Sequence, residues 1–190
     1  MPPKQRITRD MILEQAFKIA EEQGVMAVTS RSVAKALGCS IQPVFSQFPT
    51  MEELRQATFN YACEQFVMEV LAFEDRPDFF MQAVKWTVDL AKNRPNLFRL
   101  LYLSDSFGSR GAFDVMMNFE SNRKMREKMQ ATFGLEEHIC KDILLRGCIM
   151  LVGICTMICV NHMDLSDEQV MDMMKRTVAD MVMGAKSEKE

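Results

Sequence analysis

The feature that most limits the fold is a spacing. Apolar residues recur at intervals of three and four along almost the whole chain, and no segment alternates apolar with polar residues between turn signals. That pattern predicts an all-α chain, which Gly, Pro and capping residues divide into about nine helices. The first is expected from about Thr8 to Gln23, with Ile12, Leu13, Ala16, Phe17 and Ala20 inward and Gly24 as its stop. Thr29 or Ser30 can cap a second, from Arg31 to Leu37, which Gly38 ends; Ser40 can cap a third that runs to about Gln47. Pro43 falls in the first turn of that third helix, where a missing N–H costs nothing.

Thr50 and Glu53 form a capping box for a long fourth helix, with Leu54, Ala57 and Tyr61 leading toward Leu71. Pro77 and Pro95 each suit a first helical turn, and they bracket a helix carrying Phe79, Ala83, Trp86 and Leu90 on one face. Asp105 to Gly111 is the clearest loop. Helices from about Ala112 to Thr132 and from Glu136 to Val160 follow, and Ser166 with Gln169 caps a last one ending near Gly184. The expected division is a three-helix unit over residues 1–50 and a larger helical domain over 51–190.

Charge narrows the partners. Residues 1 to 60 hold seven Lys or Arg against six acids within a chain of net charge -3, so the first unit is the better candidate for touching phosphates. Met1 to Arg9 lacks the apolar stretch of a secretory leader, which predicts a cytoplasmic protein whose six cysteines are reduced. The longest uncharged run, Gly147 to Met163, falls short of the ~20 apolar residues of a membrane span, so a core helix and no membrane partner are expected.

From Ser30 to Phe48 the sequence offers two short helices joined by a Gly turn, with Ala34 small at the crossing and Val33, Leu37, Val44 and Phe45 as an apolar underside. A helix-turn-helix of this kind lays its second helix in the major groove of DNA, with Ser40, Ile41 and Gln42 toward base edges. Gln42 is the best base reader, since its amide both donates and accepts at adenine. Thr29, Ser30, Arg31, Pro43, Phe45 and Gln47 complete the expected contact surface, and the basic arm with Lys4, Arg6 and Arg9 is suited to the minor groove or to phosphates.

On these residues the chain resembles the TetR family of transcription regulators from about Thr8 to Leu54. The likeness rests on Ile12, Leu13, Ala16, Gly24, Thr29, Val33, Ala34, Leu37, Gly38, Ser40, Val44, Phe45, Phe48, Glu53 and Leu54. It departs where that family commonly has Tyr, His and Lys on the DNA backbone; Phe45, Gln47 and Met51 stand there. Weaker or less salt-dependent DNA binding is the expected consequence, because each lost ionic phosphate contact lowers the salt slope by about one unit. The stretch from Trp86 to Leu103, with Asn93, Arg94, Pro95, Asn96, Leu97 and Phe98, also looks like a segment of TetR-type C-terminal domains. The resemblance implies a palindromic operator as partner, a small-molecule effector pocket and a homodimer.

Within the larger domain the helix from Glu136 is apolar on several faces, with Ile143, Gly147, Met150, Ile154 and Met157 in one stripe and Leu144, Cys148, Leu151, Cys155 and Cys159 in the next. Together with Val170, Met174, Thr177 and Met181 of the last helix, the residues Gly147, Met150, Ile154 and Met157 are the expected two-fold interface. Trp86, Leu90, Phe107, Phe113, Met116, Met117 and Cys155 are the expected pocket lining, and 18 Met suit an adaptable surface for an apolar or aromatic effector.

Three further classes are weighed. The cysteines on one helix face could sense thiols or soft metals, but no CxxC pair or His neighbour accompanies them, so neither a metal site nor a cofactor is expected. A helical carrier of hydrophobic ligands would share the apolar interior. An enzyme is disfavoured, because no Gly-rich phosphate loop, His cluster or nucleophile elbow is present.

Overall fold

A computed structural model of the chain describes residues 7–104 and 117–187. Among them are nine α-helices and no strand: α1 (Arg9–Gln23), α2 (Ser30–Ala36), α3 (Gln42–Gln47), α4 (Met51–Leu71), α5 (Phe79–Asn93), α6 (Pro95–Phe98), α7 (Glu120–Phe133), α8 (Glu137–Asn161) and α9 (Asp167–Ser187). A 3-10 turn, Val25–Ala27, links α1 to α2, and α6 runs on into a wider π-helical turn, Arg99–Leu103. The chain forms two compact units, one of Met1–Gln65 with Arg94–Ser106 and one of Phe66–Asn93 with Phe107–Glu190. The long helix α4 passes from the first into the second.

In the N-terminal unit local chemistry sets the helix ends. Thr8 caps α1 by accepting from the Met11 N–H, and Gly24 ends it at φ 88°, a conformation that costs a side chain dearly. Thr29 and Ser32 form a reciprocal capping box on α2, each side chain accepting from the other's backbone N–H. Ser40 caps nothing: Ile41 is already helical at φ -70°, ψ -18° and is itself the N-cap of α3, so Ser40 lies one residue too early. Ile12, Ala16, Val33, Val44, Phe48 and Leu54 are buried and close the core.

Segment 94–98, far along the chain, fastens onto the end of α1. Arg94 Nε pairs with Glu21 Oε1 at 2.5 Å, while the Asn96 amide donates to the Glu21 and Glu22 carbonyls at 3.1 and 3.0 Å. Those carbonyls have no partner within the helix, so Asn96 satisfies acceptors that the helix end leaves over.

In the C-terminal unit α8 packs against α5, α7 and α9. It is long and apolar enough to cross a membrane, with mean hydropathy 2.4, yet Cys140, Ile143, Leu144, Gly147, Ile154, Cys155, Ile158 and Cys159 are buried against those neighbours, as in a core helix. Lys92 at the end of α5 reaches the Leu165 carbonyl and Asp167 at 2.9 and 2.6 Å, tying down the start of α9. Ser166 and Gln169 form the expected capping box, with bonds of 3.2 and 2.9 Å. His162 ends α8 in the left-handed region at φ 55°.

Three boundaries differ from the sequence reading. Pro77 lies ahead of α5 and not in its first turn. The helix expected from Ala112 to Thr132 is interrupted: Phe119 at ψ 139° is non-helical, and the Met117 carbonyl, released from any helical ladder, accepts from Arg126 at 2.8 Å. The last helix continues past Gly184 to Ser187. The expected loop from Asp105 to Gly111 lies outside the described residues.

Candidate nucleic-acid interface

The α2–α3 pair turns at Gly38, whose φ of 64° suits glycine, and the Cys39 N–H donates to the Ala34 carbonyl to close the turn. Val44 and Phe48 anchor α3 from beneath. Ser40, Ile41, Gln42, Phe45, Ser46 and Gln47 are exposed, Pro43 is half-buried, and Arg31 and Lys35 are exposed on α2. Phe45 therefore does not belong to the underside assigned to it; it is 42 % exposed, and Ile41, one turn earlier, is 45 % exposed. From Gln23 to Met51 the only charged residues are Arg31 and Lys35, so no carboxylate within this stretch opposes a phosphate backbone.

Thr29 and Ser30 are half-buried, and the Thr29 hydroxyl is committed to its cap. Gln47 keeps its amide exposed while its carbonyl accepts from Arg9 Nη1 at 2.9 Å. The Arg9 guanidinium also lies 4.0 Å from the Phe48 ring centroid, so one side chain ties the start of α1 to the end of α3. Sequence reading placed Arg9 in the basic arm and gave it no partner in α3, because nothing local to it signals a partner so distant in the chain. Lys4 and Arg6 lie outside the described residues.

Of the expected pocket residues, Phe107, Phe113 and Met116 also lie outside the described residues. Leu90, Met117 and Cys155 are buried in the C-terminal unit, and Trp86 is half-buried. Trp86 donates its indole N–H to Glu69 Oε2 at 2.9 Å and meets Phe66 edge-on at 5.0 Å, and Phe66 in turn contacts Phe119 at 5.7 Å. Two residues beyond Phe119, the buried Ser121 hydroxyl has no hydrogen-bond partner among the described residues. A separate open cleft of about 350 Å³ is lined by Phe79, Phe80, Met125, Lys128, Met129 and Phe133, none of them anticipated from the sequence.

Of the residues expected at the two-fold interface, Met157 is exposed, and four are buried within the chain. Val170 and Met174 are fully buried inside the chain, Ile154 and Gly147 are buried, and Gly147 faces Phe80 and Val178 of its own chain. Met150, Thr177 and Met181 are half-buried. The outward apolar stripe of α8 is Ile149, Gly153, Val160 and the expected Met157, with open space beside Gly153.

Burial pushes the thiols of Cys63 and Cys155 up to about 12 and that of Cys148 up to about 11; for Cys155 the neighbouring Cys159 adds to the rise and Lys92 opposes it. Such thiols stay protonated and unreactive. Among the described residues, no three His, Cys, Asp or Glu side chains gather as a metal site. The raised values also carry a stability prediction. Unfolded thiols ionise near 8.5 while these remain protonated, so the unfolded chain holds fewer protons and stability falls as pH rises from about 9 toward 12, by up to ~1.4 kcal/mol per pH unit for each buried thiol. Urea midpoints at pH 8 and pH 10 should show the loss, and Cys63→Ala with Cys155→Ala should shrink it; an unchanged slope in the double variant would refute the assignment.

Residues 12–58 match the family described as bacterial regulatory proteins, tetR family. No curated protein matches. Among solved structures, the multidrug binding protein EbrR complexed with imidazole is similar at 16% identity and TM-score 0.61, over 89% of this chain and 93% of that one. EbrR complexed with ethidium is similar at 16% identity and TM-score 0.57, over 93% and 99%. A transcriptional regulator from Rhodococcus sp. Rha1 is similar at 17% identity and TM-score 0.61, over 94% and 98%.

Proposed function

We propose that this chain, whose residues 12–58 match the tetR family of bacterial regulatory proteins, is a homodimeric repressor whose hold on a palindromic operator is governed by an apolar or aromatic small molecule. The observation that carries this reading is the exposed Ile41, Gln42 and Phe45 face of α3, held on a buried anchor within a stretch free of acids. A single short helix reads only a few base pairs, so two copies about one DNA turn apart are needed for a specific site. The stripe of Ile149, Gly153, Met157 and Val160 supplies an apolar surface for that pairing.

For the effector, support comes from the C-terminal unit, where Trp86, Phe66 and Phe119 form an aromatic cluster and Trp86 is held by the Glu69 carboxylate. Aromatic faces beside a carboxylate suit a flat, cationic compound. The relatives in solved structures that hold ethidium and imidazole fit the same chemistry. A ligand gates DNA only through different affinities for two states, typically ~1 to 3 kcal/mol, or about 5- to 150-fold in operator affinity.

The test is gel retardation with the DNA upstream of the chain's own gene, between 50 and 200 mM salt, with ethidium added as a probe. Sequence-selective retention that ethidium relieves is expected, and Trp86→Ala should lose that relief while still binding the DNA, which separates binding to the protein from intercalation into the duplex. Trp86 is the only tryptophan, so its fluorescence reports occupancy directly and should be quenched over the same ethidium range. Quenching without any DNA selectivity would instead favour a carrier of hydrophobic compounds.

A further inference from the structure

The recognition face is unusual in what it lacks. Helix α3 has no charged side chain, and the residues flanking Gln42 on its exposed side are Ile41 and Phe45. They stand one turn apart, joined by the Phe45 N–H to Ile41 carbonyl bond of 3.2 Å, and so share one face of the helix. Leaving 45 % of an isoleucine and 42 % of a phenylalanine in water is unfavourable unless a partner covers them. Both belong to the anchored part of the unit, since Val44 and Phe48 between and beyond them are buried.

Resting on the DNA-binding reading above, we propose that Ile41 and Phe45, whose ring has no hydroxyl to hold a phosphate as the tyrosine it replaces would, read the C5-methyl groups of thymines, so that the operator half-site under α3 is built from A·T pairs. In the major groove the thymine methyl is the one apolar group a base pair offers, whereas guanine is read chiefly by Arg or Lys. Helix α3 supplies neither. Gln42 fits the same pairs from the other strand, its amide matching N6 and N7 of adenine. Electrostatics support duplex DNA as the occupant of this apolar face: the flanking Arg31 and Lys35 are exposed cations, and no acid intervenes from Gln23 to Met51. An uncharged apolar partner would gain nothing from that cationic flank beside a hydrogen-bonding amide.

Removing methyls without changing base pairing tests this cleanly. A random-sequence duplex library is selected on the full-length chain, the enriched site is resynthesised with deoxyuridine replacing each thymidine in turn, and affinities are measured by fluorescence anisotropy. Loss of about fourfold is expected for each methyl buried against Ile41 or Phe45, the equivalent of ~0.8 kcal/mol per methyl-sized group. Ile41→Ala and Phe45→Ala should each bring the thymidine-to-deoxyuridine ratio toward one at their own position, and because both side chains are exposed these variants should melt as the parent does. An enriched site with G·C pairs under α3, or one indifferent to deoxyuridine, overturns the methyl reading and leaves DNA binding standing. Failure to enrich any sequence overturns both.

Discussion

Ile149→Glu is expected to turn the proposed dimer into monomers and, with that, to abolish operator binding at concentrations where the parent protein is bound. Ile149 is 63 % exposed in the single chain, so the substitution leaves the protomer's own core untouched and its stability within about 0.5 kcal/mol. Across a two-fold axis the same change acts twice. Each copy would bury a carboxylate against the apolar stripe of the other, and the effective penalty is several kcal/mol per ion even after relaxation. Dimer dissociation should therefore rise by at least ~1,000-fold, measurable by sedimentation velocity. Operator affinity should fall by a further ~100- to 10,000-fold, because the second half-site loses the high effective concentration that pairing provides. Met174→Glu makes the contrast. Met174 is fully buried in its own chain, so a charge there should unfold the protomer and not merely separate it. A dimeric Ile149→Glu protein, or a folded monomeric Met174→Glu protein, would return the interface to the stripe first assigned from the sequence.

That stripe shows where sequence reading stops. Periodicity establishes that α8 is apolar on more than one face, but several apolar faces of one helix look alike until the neighbouring helices are in position. Packing by α5, α7 and α9 takes up the faces of Leu144 and Ile154, and leaves Ile149 and Met157 outside. Helix ends were more legible, because capping is settled within a few residues. The cap at Thr29, the box of Ser166 with Gln169, and the stop at Gly24 follow from local hydrogen bonds and backbone freedom. Ser40 misled for the same local reason: a serine ahead of a helix resembles a cap, yet one extra helical residue at Ile41 moved the cap site past it. Contacts such as Asn96 to the end of α1, or Arg9 to Gln47, join residues with no common period and no shared turn, so no pattern in the sequence announces them.

The contact between Arg9 and the end of α3 leads to the second large effect, at Phe48. This ring is 2 % exposed, its backbone N–H closes α3 on the Val44 carbonyl, and the Arg9 guanidinium covers one face. Phe48→Ala removes a fully packed aromatic, costing about 3 to 5 kcal/mol, and the lost cation–π contact adds ~0.5 to 1 kcal/mol. Against a typical total of ~5 to 15 kcal/mol this is a large share, so the melting temperature should drop by roughly 7 to 24 °C. Function should fail before the fold does. Helix α3 is a short helix, Gln42–Gln47, with no side-chain cap at its start, so Phe48 and Val44 are what hold it in register. Selective DNA binding should accordingly vanish in Phe48→Ala well below its melting point, while Phe48→Leu, which keeps most of the apolar volume, should retain it. Phe45→Ala supplies the opposite signature, an unchanged melting temperature with altered base preference, because the same ring type there faces water and not the core. If Phe48→Ala melted and bound DNA like the parent, α3 would not depend on this anchor, and the exposed face it holds would lose its claim to be pre-formed.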